Sequence, residues 1–186
     1  MFKKVVEFLR PPSFPDEEKT RLARILYTIQ IALVAAALLA AFSSFRLDQS
    51  SAVKGLLSAC FVIFLTIWLT QKGYLRLASW VILVATTISV TYLLFVGQGI
   101  HDISMMLLPL VVIMGSLLFN RLEFGILNVV VFSGVIFIVH AEVSGKISTD
   151  FAQYTEYTDL IFLAVEQTLI AIVTRLLARN ITQSLN

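Results

Sequence analysis

Residues 52–96 read AVKGLLSACFVIFLTIWLT, QKGY, LRLASWVILVATTISVTYLLFV: two long apolar runs with a brief polar joint around Gln71–Gly73. Ala52 to Thr70 carries a single charge, Lys54, and so does Leu75 to Val96, at Arg76. Each run has about the 20 residues that a helix needs to cross the hydrocarbon core of a bilayer. Both are continuous, without alternation of apolar and polar residues. They therefore predict helices and not barrel strands.

The same pattern extends in both directions. Toward the N-terminus, Ala23 to Phe45 is a further span. Toward the C-terminus lie a short one, Ile103 to Phe119 with Pro109 inside it, then Leu122 to Ala141 and Leu160 to Ala178. The other joints are Arg46–Ser51, Gly97–Asp102, Asn120–Arg121 and Glu142–Asp159. Pro109 removes a backbone hydrogen bond and is expected to kink its span. The fold class expected is all-α, a polytopic membrane bundle of six transmembrane helices.

Composition agrees. Hydrophobic residues make up 58% of the chain and charged residues 14%, against roughly 25% charged in soluble domains. Mean hydropathy is +0.88. A chain this apolar cannot cover itself with polar groups in water, and in lipid it need not. The formal charge of +2 is too small to suggest nucleic acid as a partner. Cys60 is the only cysteine and lies inside a span, so no disulfide framework exists. No cleavable signal peptide is visible, because Met1 to Leu9 is too short and too charged to be its apolar core.

Lysine and arginine set the orientation. With six spans, the side of the N-terminus holds eleven: Lys3, Lys4, Arg10, Lys19, Arg21, Arg24, Lys72, Arg76, Arg121, Arg175 and Arg179. The opposite side holds three: Arg46, Lys54 and Lys146. The first side, with both termini, is expected to be cytoplasmic.

Each end has its own pattern. In residues 1–12, Phe2, Val5, Val6, Phe8 and Leu9 can share one side of a short interfacial helix, against Lys3, Lys4, Glu7 and Arg10. Pro11 and Pro12 end it. Ser13-Phe14-Pro15-Asp16 then reads as a capping pattern, with Glu17 and Glu18 in the first turn of the helix that enters span one. Residues 13–178 form the six-helix domain. At the other end neither Gly nor Pro follows Gly145, so the last span has no stop signal. A helix from Asp159 to Asn186 would be about 42 Å long, more than the roughly 30 Å of the hydrocarbon core. Residues 179–186 are thus expected to project into the cytoplasm, as the start of a signalling helix in a truncated chain. Leu177, Ile181 and Leu185 fall on one stripe, suited to pairing with a second copy. On span one, Ala32, Ala36 and Ala40 form a small-residue stripe suited to close helix packing.

The segment Arg10-Pro-Pro-Ser-Phe-Pro-Asp-Glu-Glu-Lys-Thr-Arg-Leu-Ala-Arg, six spans and an exiting helix together resemble the membrane module at the head of many bacterial sensor histidine kinases and diguanylate cyclases. In that family the outer loop before span four often reads like Gly99-Ile100-His101-Asp102, and the sixth helix continues into a cytoplasmic output domain. The resemblance implies a sensory domain in the bacterial inner membrane, homodimeric through its last helix. It perceives a small or lipophilic ligand, or a membrane state, and belongs to a two-component system if the output is a kinase. The chain departs from the whole receptor in carrying no phosphoacceptor-histidine box, ATP-binding glycine boxes or cyclase signature. Any catalysis would therefore belong to a following domain, and no cofactor is implied.

Candidate ligand-binding residues are the polar groups in or beside the outer half of the spans. Glu166 lies about 10 Å inside the outer edge of span six, and an ionisable group there is expected to face the bundle interior. His140 sits near the outer end of span five beside Glu142, and His101 and Asp102 lie in the outer loop. Thr87, Thr91 and Tyr92 line span three. Together they could form an outward-opening pocket. His101, Asp102, His140, Glu142, Met105 and Met106 include metal-ligand types but lack ligand spacing, so no metal site is assigned. A different class of function, the substrate-binding membrane subunit of a vitamin-type transporter, is similar in size, span count and alanine stripe.

Overall fold

The computed structural model describes residues 11–46, 50–147, 149 and 151–184, with side chains through Ala178 and at Asn180. Six α-helices follow one another: α1 Glu17–Arg46, α2 Ser50–Gln71, α3 Leu75–Val96, α4 Leu107–Leu118, α5 Arg121–Val143 and α6 Asp159–Ser184. Three short 3-10 turns, Gly99–His101, Ile103–Met106 and Ala152–Tyr154, lie between them. No strand occurs among the described residues. All but α4 are long and apolar enough to cross a membrane.

α3 is the hub. It packs against α1, α2, α4 and α5, and Ile82 and Leu83 at its centre are fully buried. Around them lie Leu26, Ile67, Val111, Val112, Leu127 and Ile138. Close approach is made where one partner is small. Gly55 of α2 receives the Tyr92 ring, Gly134 of α5 receives Thr91, and Gly115 of α4 receives Leu127. In an apolar solvent, shape fit of this kind does most of the holding. One polar lock is added: the fully buried Gln30 of α1 donates through Nε2 to Thr70 Oγ1 of α2 at 2.9 Å.

Bonds between helix ends divide into two layers. In the first, Arg76 pairs with Glu123. Arg175 Nη1 donates to the carbonyls of Ser116 and Phe119 at 3.1 and 2.8 Å. In the second layer, the loops after α3 and α5 meet.

Several expectations are corrected. The fourth apolar run, expected as a short span, is a 3-10 turn over Ile103–Met106 that leads into an α-helix of 12 residues, not a single helix. Their combined rise is about 26 Å, short of the other five. Pro109 does not kink a helix centre. It lies in the first turn of α4, where a missing N–H costs nothing, because that donor has no partner within the helix. The cap of α1 is Asp16, not Ser13. Its Oδ1 accepts from the N–H of Glu18 at 3.0 Å and Lys19 at 3.4 Å. Thr20 Oγ1 ties back to Phe14 through both its N–H and its carbonyl. Pro15 holds Phe14 extended, which leaves Asp16 as the first side chain able to reach the free N–H groups.

Ala32, Ala36 and Ala40 are exposed, so that stripe is not packed against another helix among the described residues. The interfacial helix expected over residues 1–12 falls almost wholly outside the described residues, as do the side chains of Ile181 and Leu185.

Candidate functional site

The residues of the second layer converge on Glu142. It stands in the last turn of α5, where the helix dipole disfavours an acid, yet it is only 3% exposed. Its carboxylate is held by donors from two loops. From the loop after α3, the Ile100 N–H donates to Oε2 at 3.2 Å. From the loop after α5, Thr149 Oγ1 donates to Oε1 and Thr155 Oγ1 to Oε2, both at 3.4 Å. Among the described residues no lysine, arginine or histidine forms an ion pair with it.

The backbone around it is built for this contact. Gly99 has φ +63°, and a Cβ there would run into the Glu142 carboxylate. Only glycine combines that dihedral with that approach. After Val143 the helix is closed by Gly145, at φ +69°. The Gly145 N–H reaches the Glu142 carbonyl at 2.9 Å, and the Lys146 N–H reaches Ala141 at 2.9 Å. This Schellman closure turns the chain back so that Thr149 and Thr155 can cover the carboxylate.

His101 joins through a hydroxyl. Its Nε2 lies 3.3 Å from Thr155 Oγ1. A hydroxyl has one proton; if Thr155 donates it to Glu142, it accepts from His101, whose Nε2 then carries the hydrogen. The His101 ring also packs on Phe151, with centroids 5.8 Å apart. The result is a chain from an exposed imidazole, through a buried threonine, to a buried carboxylate. It offers a polar ligand or a proton one accessible group and one sheltered group.

The other candidates scatter. Asp102 shapes its own loop, accepting from Ser104 N–H at 2.8 Å and Gln98 N–H at 3.2 Å. His140 is exposed and meets Tyr157 through Nδ1 at 3.1 Å. It is two residues from Glu142, and two helical steps of 100° send the side chains to nearly opposite sides. Thr87 is buried and bonds back to the Leu83 carbonyl at 2.9 Å. Thr91 faces Gly134, while Tyr92 faces Gly55 and reaches Ser51 O at 3.5 Å.

Glu166 is exposed, at the edge of a cavity of about 140 Å³ shared with Met105, Pro109 and Gln167. The interior position expected for it is therefore not found within one copy of the chain. The reason is that α6 lies at the rim of the bundle against α4 and α5, with none of its described residues buried. Among the described residues, no three His, Cys, Asp or Glu gather as a metal-ligand set.

Glu142 was visible in the sequence as a neighbour of His140, but nothing marked it as the centre. Its partners lie 42 positions upstream and 7 and 13 downstream. The available signal was an acid in the last turn of an apolar helix, followed by Gly145.

Comparison with known protein families, with curated proteins and with solved structures finds no match to this chain.

Proposed function

We propose that the chain is the membrane-embedded sensory domain of a bacterial signalling receptor, a sensor histidine kinase being the form it most resembles. It would lie in the inner membrane with both termini cytoplasmic, and act as a pair through its last helix. The observation that carries this reading is Glu142: a buried carboxylate with no cation beside it among the described residues, fastened to the loops after α3 and α5. The loop that covers it leads directly into α6, the least buried helix of the bundle.

A small ligand with acceptor atoms would compete with the carboxylate for the threonine hydroxyls and the Ile100 N–H, and a proton delivered through His101 would compete with those donors for the carboxylate oxygens. Release of Thr149 and Thr155 alters how the head of α6 is held. At its other end α6 is anchored by Arg175 to the end of α4. A helix gripped at two points and packed lightly between them can take two positions, and a ligand that prefers one shifts the balance.

The test is a receptor in which α6 runs into a dimeric kinase core, assayed in membranes. Glu142→Gln keeps the shape and removes the charge. The reading expects altered basal output, with thermal stability close to that of the parent. Unchanged output across the stimuli that the parent answers would reduce Glu142 to a loop fastener.

One observation favours the transport-subunit reading instead. The uncovered Ala32, Ala36 and Ala40 stripe suits a different membrane subunit. Co-purification of such a subunit, lost in Ala36→Leu, would support transport over sensing.

A further inference from the structure

Between α5 and α6 the surface opens into a groove of about 690 Å³, within the usual range of roughly 300–1,000 Å³ for ligand pockets. Its walls are apolar, and small residues such as Gly125 and Ala164 make room along it. From Arg121 to Ile136 it follows α5 for about 22 Å, longer than the roughly 15 Å of hydrocarbon in one leaflet. Exposed apolar side chains flank it, among them Val129, Leu169 and Leu176. The groove therefore faces lipid once the bundle is in a bilayer.

Its charge lies entirely at one end. Arg121 and Arg175 line that end, and neither forms an ion pair among the described residues. The nearby carboxylate of Glu123 is already taken by Arg76. Arg175 is pre-set: Nη1 is fixed on the Ser116 and Phe119 carbonyls, and the guanidinium lies 5.5 Å from the Phe124 ring centre. Its Nε and Nη2 donors remain to receive an anion, and a guanidinium matches the oxygens of a phosphate. Deeper in the groove, Asn128 Oδ1 and Gln167 Nε2 are buried atoms without partners. The protein alone thus leaves this surface unfinished.

We infer that the groove is a binding site for an anionic phospholipid of the leaflet on the Arg121 and Arg175 side, its phosphate on the two arginines and an acyl chain between α5 and α6. The site needs the bundle to be in a membrane but does not depend on the sensory reading. Lipid binding is measured without any signalling output, so either idea can fail alone. An occupant here would also brace α6, the helix with the least support from the bundle.

The test is native mass spectrometry of the full chain in detergent, titrated with phosphatidylglycerol and with phosphatidylcholine of identical chains. Attraction worth about fivefold per basic residue gives phosphatidylglycerol a preference of roughly twenty-five-fold over the two arginines. Arg121→Gln should cut that preference about fivefold. Gly125→Leu should abolish binding of both lipids, because a Cβ at Gly125 meets no atom of the chain and the side chain would fill the groove. Ala164→Leu blocks the groove from the α6 wall and serves if Gly125→Leu does not fold. Equal binding of the two lipids by the parent would overturn the proposal. So would binding that both blocking variants leave intact. Loss of a dimer on blocking, with lipid preference retained, would assign the groove to a second copy and likewise overturn it.

Discussion

At Gly99 the backbone and the Glu142 carboxylate occupy neighbouring space, and a single methyl decides whether both can stay. Gly99→Ala adds a Cβ at a positive φ and directs it at the carboxylate. The strain of the dihedral alone is about 1 kcal/mol, and displacement of the carboxylate from its donors adds about 1–3 kcal/mol. In a Glu142→Ala background only the first cost remains, so the two substitutions should be less than additive in thermal unfolding. Additive effects would mean that Gly99 and Glu142 do not share the space. This is also the scale at which the sequence was least legible. Thr91 and Tyr92 are adjacent in the chain yet pack on α5 and α2 respectively. His140 and Glu142 diverge for the same helical reason. A list of polar residues in one half of a bundle carries no information about which of them converge.

Helices were more legible, because apolar runs and turn residues are local. The expected Leu75–Val96 is the observed α3, end to end. Asn120, read only as a joint, caps α5 reciprocally with Glu123. What the runs could not disclose was choice among competing caps. Ser13 and Asp16 both suit the start of α1, and tertiary placement of Phe14 and Thr20 selects Asp16. Asp16→Ala should therefore cost about 1 kcal/mol and Ser13→Ala almost nothing, measured by thermal unfolding in detergent. The reverse order would restore Ser13 as the cap. At the far end of the bundle, Arg175→Gln removes the cation that closes α4. It should lower stability by about 1 kcal/mol and speed proteolysis near Phe119. No change in either would show that the α4 end is held by other contacts.

For the molecule as a whole, the proposal rests on orientation and on coupling between its two layers. Orientation is checked by replacing Cys60 with alanine and adding single cysteines. Those at Ser50 and Thr149 should react with an impermeant thiol reagent outside intact cells, and one at Lys72 should not. Labelling at Lys72 would reverse the bundle. The order of the helices along the chain was readable because each apolar run is continuous and bounded by a short polar joint. The position of α6 at the rim was not, because apolar residues look alike whether they face lipid or protein. That ambiguity explains why Glu166 was expected inside and is found exposed.

Coupling between the two layers shows itself in one distance. Spin labels at Lys72 and at Asn180, two exposed positions in the same layer of the bundle, report the placement of the far end of α6 against the fixed α2–α3 turn. The measurement is pulsed electron paramagnetic resonance in lipid nanodiscs, on the Glu142 protein and on Glu142→Gln. The account predicts a shifted or redistributed Lys72–Asn180 distance when the carboxylate in the opposite layer is neutralised. An identical distance distribution in the two proteins would contradict it.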